Sequence, residues 1–274
     1  STLSLYKQLV LRMLVKAFFM PLMFTYLVTN VNLLQNPHSI TQDLPIVEAL
    51  ETLMAFMENT RAVANDQYLY DTVVPYFHVA DVCFAAVGYA LSLKLFRSHV
   101  RSAEPTGLGW TVALMCYQPF WGTVIGSHYL FYAHAPNCFG YFDEGLFRYG
   151  WTLVLLFTEF VFVWCTMCFG TRFSNLTHRG IVTFGPYYFA KHPAYIAKLV
   201  GFFMLELPVI VYVGESTTPS YTAGILALVP FALVCLMYYY RARTEEAHLR
   251  SVNDAYDIYC DELAARKVRS RKRS

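Results

Sequence analysis

Apolar residues in this chain come in blocks long enough to cross a bilayer, with short polar connections between them. The blocks predict helical spans over 14–33, 74–96, 109–131, 148–170, 194–213 and 221–240. Lys16 and Pro21 interrupt the first, and Tyr238, Tyr239 and Tyr240 end the last as an interfacial aromatic cluster. Between the first two spans lies a polar segment, 34–73. In it Leu44, Val47, Leu50, Met54 and Met57 recur at three- and four-residue steps, the pattern of an amphipathic helix on a membrane or on a small extramembrane cap. The expectation is an all-α, polytopic membrane helix bundle of about six transmembrane helices, with an outer amphipathic segment and a C-terminal helix. Its regions are 1–146 (three spans and the outer segment), 147–265 (a membrane core) and 266–274 (a basic tail).

Charge orients the bundle. Lys7, Arg12 and Lys16 open the chain, whereas segment 34–73 carries Arg61 against Asp43, Glu48, Glu51, Glu58, Asp66 and Asp71. Lys94, Arg97 and Arg101 follow the second span, and the connection after the third is free of Lys and Arg up to Phe147. Arg172, Arg179 and Lys191 precede the fifth span, and 214–220 has no basic residue before the Arg-rich tail. Basic and non-basic connections alternate, so the positive-inside rule places both termini in the cytoplasm. No cleavable signal peptide is expected. Asn175-Leu176-Thr177 matches a glycosylation acceptor but falls on the cytoplasmic side, where it would go unused.

Composition agrees: 56% of residues are hydrophobic and 17% aromatic, and a net charge of +2 gives no nucleic-acid footprint. Cys165 and Cys168 lie one turn apart inside a span and read as buried thiols rather than a metal or redox pair. Asp81, Glu159 and Glu206 are intramembrane acids, each either a functional group or a helix-pairing one.

Two stretches carry candidate chemistry. Segment 175–195, NLTHRGIVTFGPYYFAKHPAY, is punctuated by Gly185-Pro186, so a continuous helix is broken at a membrane edge. Broken backbone there can line a ligand cavity, and Tyr187, Tyr188 and Tyr195 offer aromatic faces to a cation. A basic, aromatic interfacial anchor is the other reading of Lys191-His192-Pro193. In RARTEEAHL at 241–249, Arg241 and Glu245 stand four apart on one helix face, while Glu246, His248 and Arg250 are expected on another. A surface salt bridge is the simplest account of Arg241 and Glu245. Leu249, Val252, Tyr256 and Tyr259 form a stripe that can pack this helix back under the bundle.

Ile181-Val182-Thr183, Gly185 and Tyr187, then Lys191-His192-Pro193 and Tyr195, are followed by Arg241, Glu245-Glu246, Leu249, Tyr256 and Tyr259. In order and spacing this resembles the isoprenylcysteine carboxyl methyltransferase and phospholipid methyltransferase superfamily, over about 172–263. The resemblance implies an integral membrane enzyme that moves a methyl group from S-adenosylmethionine (SAM) to a lipid or prenylated acceptor at the cytoplasmic face. It implies cofactor binding by Arg179, Gly180, Ile181, Val182, Gly185, Tyr187, Lys191, His192, Pro193, Ala194 and Glu245, with Arg241 facing the acceptor. A carboxylate acceptor would need only Arg241, whereas an amine would need Glu246 or His248 to take its proton. The implied partners are a lipophilic acceptor and membrane lipids. Lys191 and Ala197 stand where the family usually has Arg and Gly. Two alternatives remain: a sterol-reductase-like enzyme using a nicotinamide cofactor, whose Arg-Asp-Glu-type motif is here Thr244-Glu245-Glu246, and a non-enzymatic membrane scaffold.

Overall fold

The computed structural model describes residues 2–35, 66–92, 95, 98–123, 125, 145–212, 221–252 and 254–272. These residues are mostly helical. In chain order they form α1 (Thr2–Gln35), α2 (Asp66–Ala90), β1 (Ser102–Ala103), α3 (Gly107–Leu114), α4 (Leu146–Phe169), β2 (Thr177–His178), α5 (Pro193–Tyr212), α6 (Tyr221–Val252) and α7 (Ala255–Arg271). Short 3₁₀ turns cover Gly170–Arg172 and Gly185–Tyr188.

Among the described residues, three helical stretches are long and apolar enough to cross a membrane: Ser4–Asn32, Leu69–Ala90 and Leu146–Arg172. Their outward faces are apolar. Leu9, Val10, Met13 and Val28 on α1, and Phe157 and Phe160 on α4, are exposed, as lipid-facing residues would be. Helices α5 and α6 cover the expected fifth and sixth blocks. The expected third block, 109–131, is interrupted: α3 stops at Leu114, residues 115–119 are turns, helical backbone resumes over 120–123 and at 125, and 126–131 lie outside the described residues. Pro119 lacks the N–H that a continuing helix needs and its ring crowds the preceding turn. The outer segment lies outside the described residues over 36–65, and 66–73 is the beginning of α2.

Packing runs from helix to helix. Val15, Phe19 and Met23 of α1 bury against Ala85, Ala86 and Tyr89 of α2, and Phe19 stacks on Tyr89 at 5.7 Å. Helix α2 packs on α4, α4 on α5, and α5 on α6. Val112 beside α6 joins Val234, Met237 and Tyr238, with Tyr195, Leu199 and Phe202 of α5 alongside. Helix α6 has 32 residues and so runs about 48 Å. It carries the last apolar block and the charged 241–249 stretch in one helix, so the charges are held at a fixed angle to the bundle.

Candidate functional site

The site forms where three connections meet the charged half of α6. β1 and β2 pair antiparallel, Ser102 opposite His178 and Ala103 opposite Thr177. The Glu104 N–H donates to the Leu176 carbonyl at 2.8 Å, and Leu176 takes a left-handed φ of 57°. A leucine there is unusual, and only the pinned strand pair and the Asn175 anchor hold it. Asn175 donates its backbone N–H and its side-chain amide to the buried Tyr89 hydroxyl, at 2.7 and 3.2 Å. The second helix of the core thereby fixes the polar segment.

Arg241 projects from α6 into this frame. It donates to the Asn175 side-chain oxygen at 2.8 Å, and its guanidinium lies 5.1 Å from the Tyr195 ring and 5.6 Å from the Tyr117 ring. One turn on, Glu245 accepts a hydrogen bond from the Tyr195 hydroxyl at 2.8 Å. His192 stacks on Tyr195, with centroids 5.3 Å apart and planes 2° from parallel. Together with Glu104, Asn175, His178, Thr244 and His248, the Arg241, Tyr195 and Glu245 side chains line a polar cavity of about 70 Å3. Among the described residues, no cluster of three or more His, Cys, Asp or Glu could hold a metal ion.

Glu246 takes the other face of α6. Its carboxylate meets His192 Nε2 at 3.1 Å, Arg250 at 3.4 Å and Lys191 at 3.7 Å. Burial alone would raise this carboxyl, but His192, Lys191 and Arg250 hold it below the usual carboxylate range. His248 departs from the sequence expectation. It does not follow Glu246 and Arg250; at i+7 from Arg241 it shares Arg241's face and lines the cavity.

The remaining sequence-predicted residues surround the cavity without lining it. Arg179 is buried and donates to the Gly88 carbonyl at 2.6 Å. Gly180 turns the chain at φ 115°. Ile181 packs on Tyr256, Tyr259 and Leu263 of α7, and Val182, Tyr187 and Ala194 pack around Cys165 of α4. Gly185 has φ 61°, and a Cβ there would lie 2.6 Å from the Cys168 sulfur. Pro193 is buried at the start of α5, where its missing N–H costs nothing. The Tyr259 hydroxyl reaches the Tyr187 carbonyl at 2.6 Å, tying α7 to the same segment.

Sequence reasoning missed Glu104, Asn175 and His178 as residues that line the cavity. The signal for Glu104 was an acid beside a helix-capping Thr in a basic connection, and for His178 a histidine just before Arg179. Buried His178 is pulled down to about 4 by desolvation, with Arg101 and His248 adding to the effect, so it is neutral near pH 7. No protein-family model, curated protein or solved structure matches this chain.

Proposed function

We propose that this chain is an integral membrane methyltransferase that moves a methyl group from SAM to a lipid or prenylated acceptor. In this reading it crosses the membrane six times with both termini cytoplasmic. The observation that carries the reading is the convergence of Arg241, Tyr195 and Glu245 on one cavity. The resemblance assigns Arg241 to the acceptor and Glu245 to the cofactor, and Tyr195 of α5 meets both in the structure.

The donor set suits SAM. Bound SAM supplies an electrophilic methyl group on a sulfonium. Glu245 offers the sulfonium's positive charge a carboxylate whose side chain is 44% exposed, and the Tyr195 hydroxyl holds it in place. The side chains of Arg179, Ile181, Val182, Tyr187 and Ala194 are committed to packing, so that stretch would serve the cofactor through its backbone and shape. A cavity of about 70 Å3 takes the reacting groups rather than a whole nucleoside, for which pockets of roughly 300 Å3 or more are usual.

Methyl transfer from a sulfonium asks mainly for alignment and exclusion of water. Arg241, held by Asn175 and two rings, is a positioned cation for a carboxylate or phosphate on the acceptor. Glu246 orders Lys191 and His192, and through His192 the Tyr195 ring. The acceptor's apolar tail would enter from the bilayer between α4 and its neighbours.

Calorimetric titration of the purified protein with SAM, S-adenosylhomocysteine and NADPH tests this reading. SAM and S-adenosylhomocysteine should bind, and Glu245→Gln should weaken both. Binding of NADPH alone would favour the reductase reading, and no binding of any of them the scaffold.

A further inference from the structure

Ser102, His248 and Glu104 form a chain of contacts that methyl transfer does not use. Ser102 Oγ lies 2.8 Å from His248 Nε2, and His248 Nδ1 lies 3.2 Å from Glu104 Oε2. A carboxylate only accepts, so Nδ1 carries the proton, and Nε2 is left to accept from the serine hydroxyl. One tautomer therefore satisfies both contacts. Thr106 fixes the acid, donating its backbone N–H to Glu104 Oε1 at 3.0 Å and its hydroxyl to the same oxygen. Burial would raise Glu104, but the hydrogen bonds from His248 and Thr106 hold it below its ordinary value, as an ionised orienting acid requires.

The surroundings supply the rest of an acyl-transfer site. Ser102 lies on β1 and Glu104 directly follows it, its N–H bonded to the Leu176 carbonyl, and both side chains reach His248. Ser102 is paired across the ladder with His178, which is 2% exposed and has no hydrogen-bond partner on either ring nitrogen. A neutral imidazole has one N–H to give, and cross-strand neighbours on one face are about 4.5–5.5 Å apart at Cβ. His178, His248 and Glu104 all line the cavity, whose wall also includes Leu249 and Ala113.

We propose that Ser102 is a nucleophile activated by His248 and Glu104, in an acyl-transfer site for esters of apolar acyl chains, with the His178 N–H placed to receive the carbonyl oxygen. Ser102 Oγ bonds to the carbonyl carbon as its proton passes to His248 Nε2, and the carbonyl π electrons move onto oxygen, toward His178. The intermediate then collapses. The bond to the alcohol oxygen breaks, and the alcohol leaves with the proton from His248. Water, deprotonated by His248 in the same way, hydrolyses the acyl-serine and releases the carboxylic acid. This goes beyond methyl transfer and does not depend on it.

An alkyl fluorophosphonate probe, applied to the full chain in lipid nanodiscs with peptide mapping of the adduct, tests the assignment. Hydrolysis of a medium-chain p-nitrophenyl ester is read in parallel. The adduct should map to Ser102. Ser102→Ala should abolish both signals while leaving the thermal unfolding midpoint and the SAM titration as in the wild type. Glu104→Gln should slow labelling about 100-fold or more, as loss of an orienting carboxylate does. Folded wild-type protein that takes no label, or label that persists in Ser102→Ala, would overturn the assignment. Because SAM binding is measured separately, failure here and failure of the methyltransferase reading give different results.

Discussion

At the scale of single residues the site depends on enclosed and half-buried polar groups that share their partners. Arg241 is the clearest case. Its guanidinium is shared among Asn175 and two tyrosine rings, so Arg241→Ala should lower methyl transfer by about 2–4 kcal/mol, the worth of a charge-assisted contact in a dry site. Arg241→Lys should recover only part of this, because an ammonium cannot reproduce the fork that meets Asn175 and an anion together. The check is turnover beside SAM affinity in all three proteins. Loss of SAM affinity in step with turnover would return Arg241 to the cofactor side or to the fold. His178 gives a pH signature. The unfolded chain takes a proton on this residue below about 6.5 and the folded chain only below about 4. Stability is therefore lost as pH falls through that window, up to about 3 kcal/mol. The carboxylates Glu104 and Glu246 are lowered in the fold, so their losses begin only below about 4.5. Thermal unfolding of His178→Gln should lack the drop between pH 6.5 and 4.5 and keep the one below it. An unchanged profile would mean that His178 takes up its proton equally well when folded.

At the scale of elements, two close approaches set the geometry. A Cβ on Gly88 would lie 2.6 Å from the Phe173 carbonyl, where α2 meets the turn after α4, next to the Arg179 bond to the Gly88 carbonyl. Gly88→Ala should therefore destabilise by about 1–3 kcal/mol through overpacking, read as a lower unfolding midpoint. Much of this level was legible in the sequence. The Gly185-Pro186 break, the helix start at Pro193 and the packing of Tyr256 and Tyr259 under the bundle all follow local rules of turn chemistry and spacing. Helix periodicity also paired Arg241 with Glu245, and the same arithmetic extended to i+7 would have added His248. What was illegible is the contact between β1 and β2. A two-residue ladder has no periodic signal, and its partners stand more than seventy residues apart. Ser102 and Glu104 thus looked like connection residues. The third apolar block misled for a different reason: hydropathy counts apolar residues but does not see the turn at 115–119, where Pro119 has no N–H to bond the Met115 carbonyl.

At the scale of the whole molecule, three helices among the described residues, long and apolar enough to cross a membrane, carry apolar outer faces, and the proposed chemistry is reached from the lipid. The β1–β2 ladder and the charged half of α6 come together around the polar cavity. The topology proposed from the alternating charge of the connections puts that cavity on the cytoplasmic side. Single-cysteine labelling should then find Cys260 modified only after permeabilisation and Cys138 modified from outside, and the reverse pattern would invert the orientation. The central claim, methyl transfer from SAM to a membrane-soluble acceptor, is tested most directly by incubating the purified protein in nanodiscs of native lipid extract with SAM tritiated on its methyl group. The account predicts radioactivity in the organic phase that grows with time, is suppressed by S-adenosylhomocysteine and falls to background with Arg241→Ala. Tight SAM binding without transfer into any lipid or prenylated acceptor would contradict it.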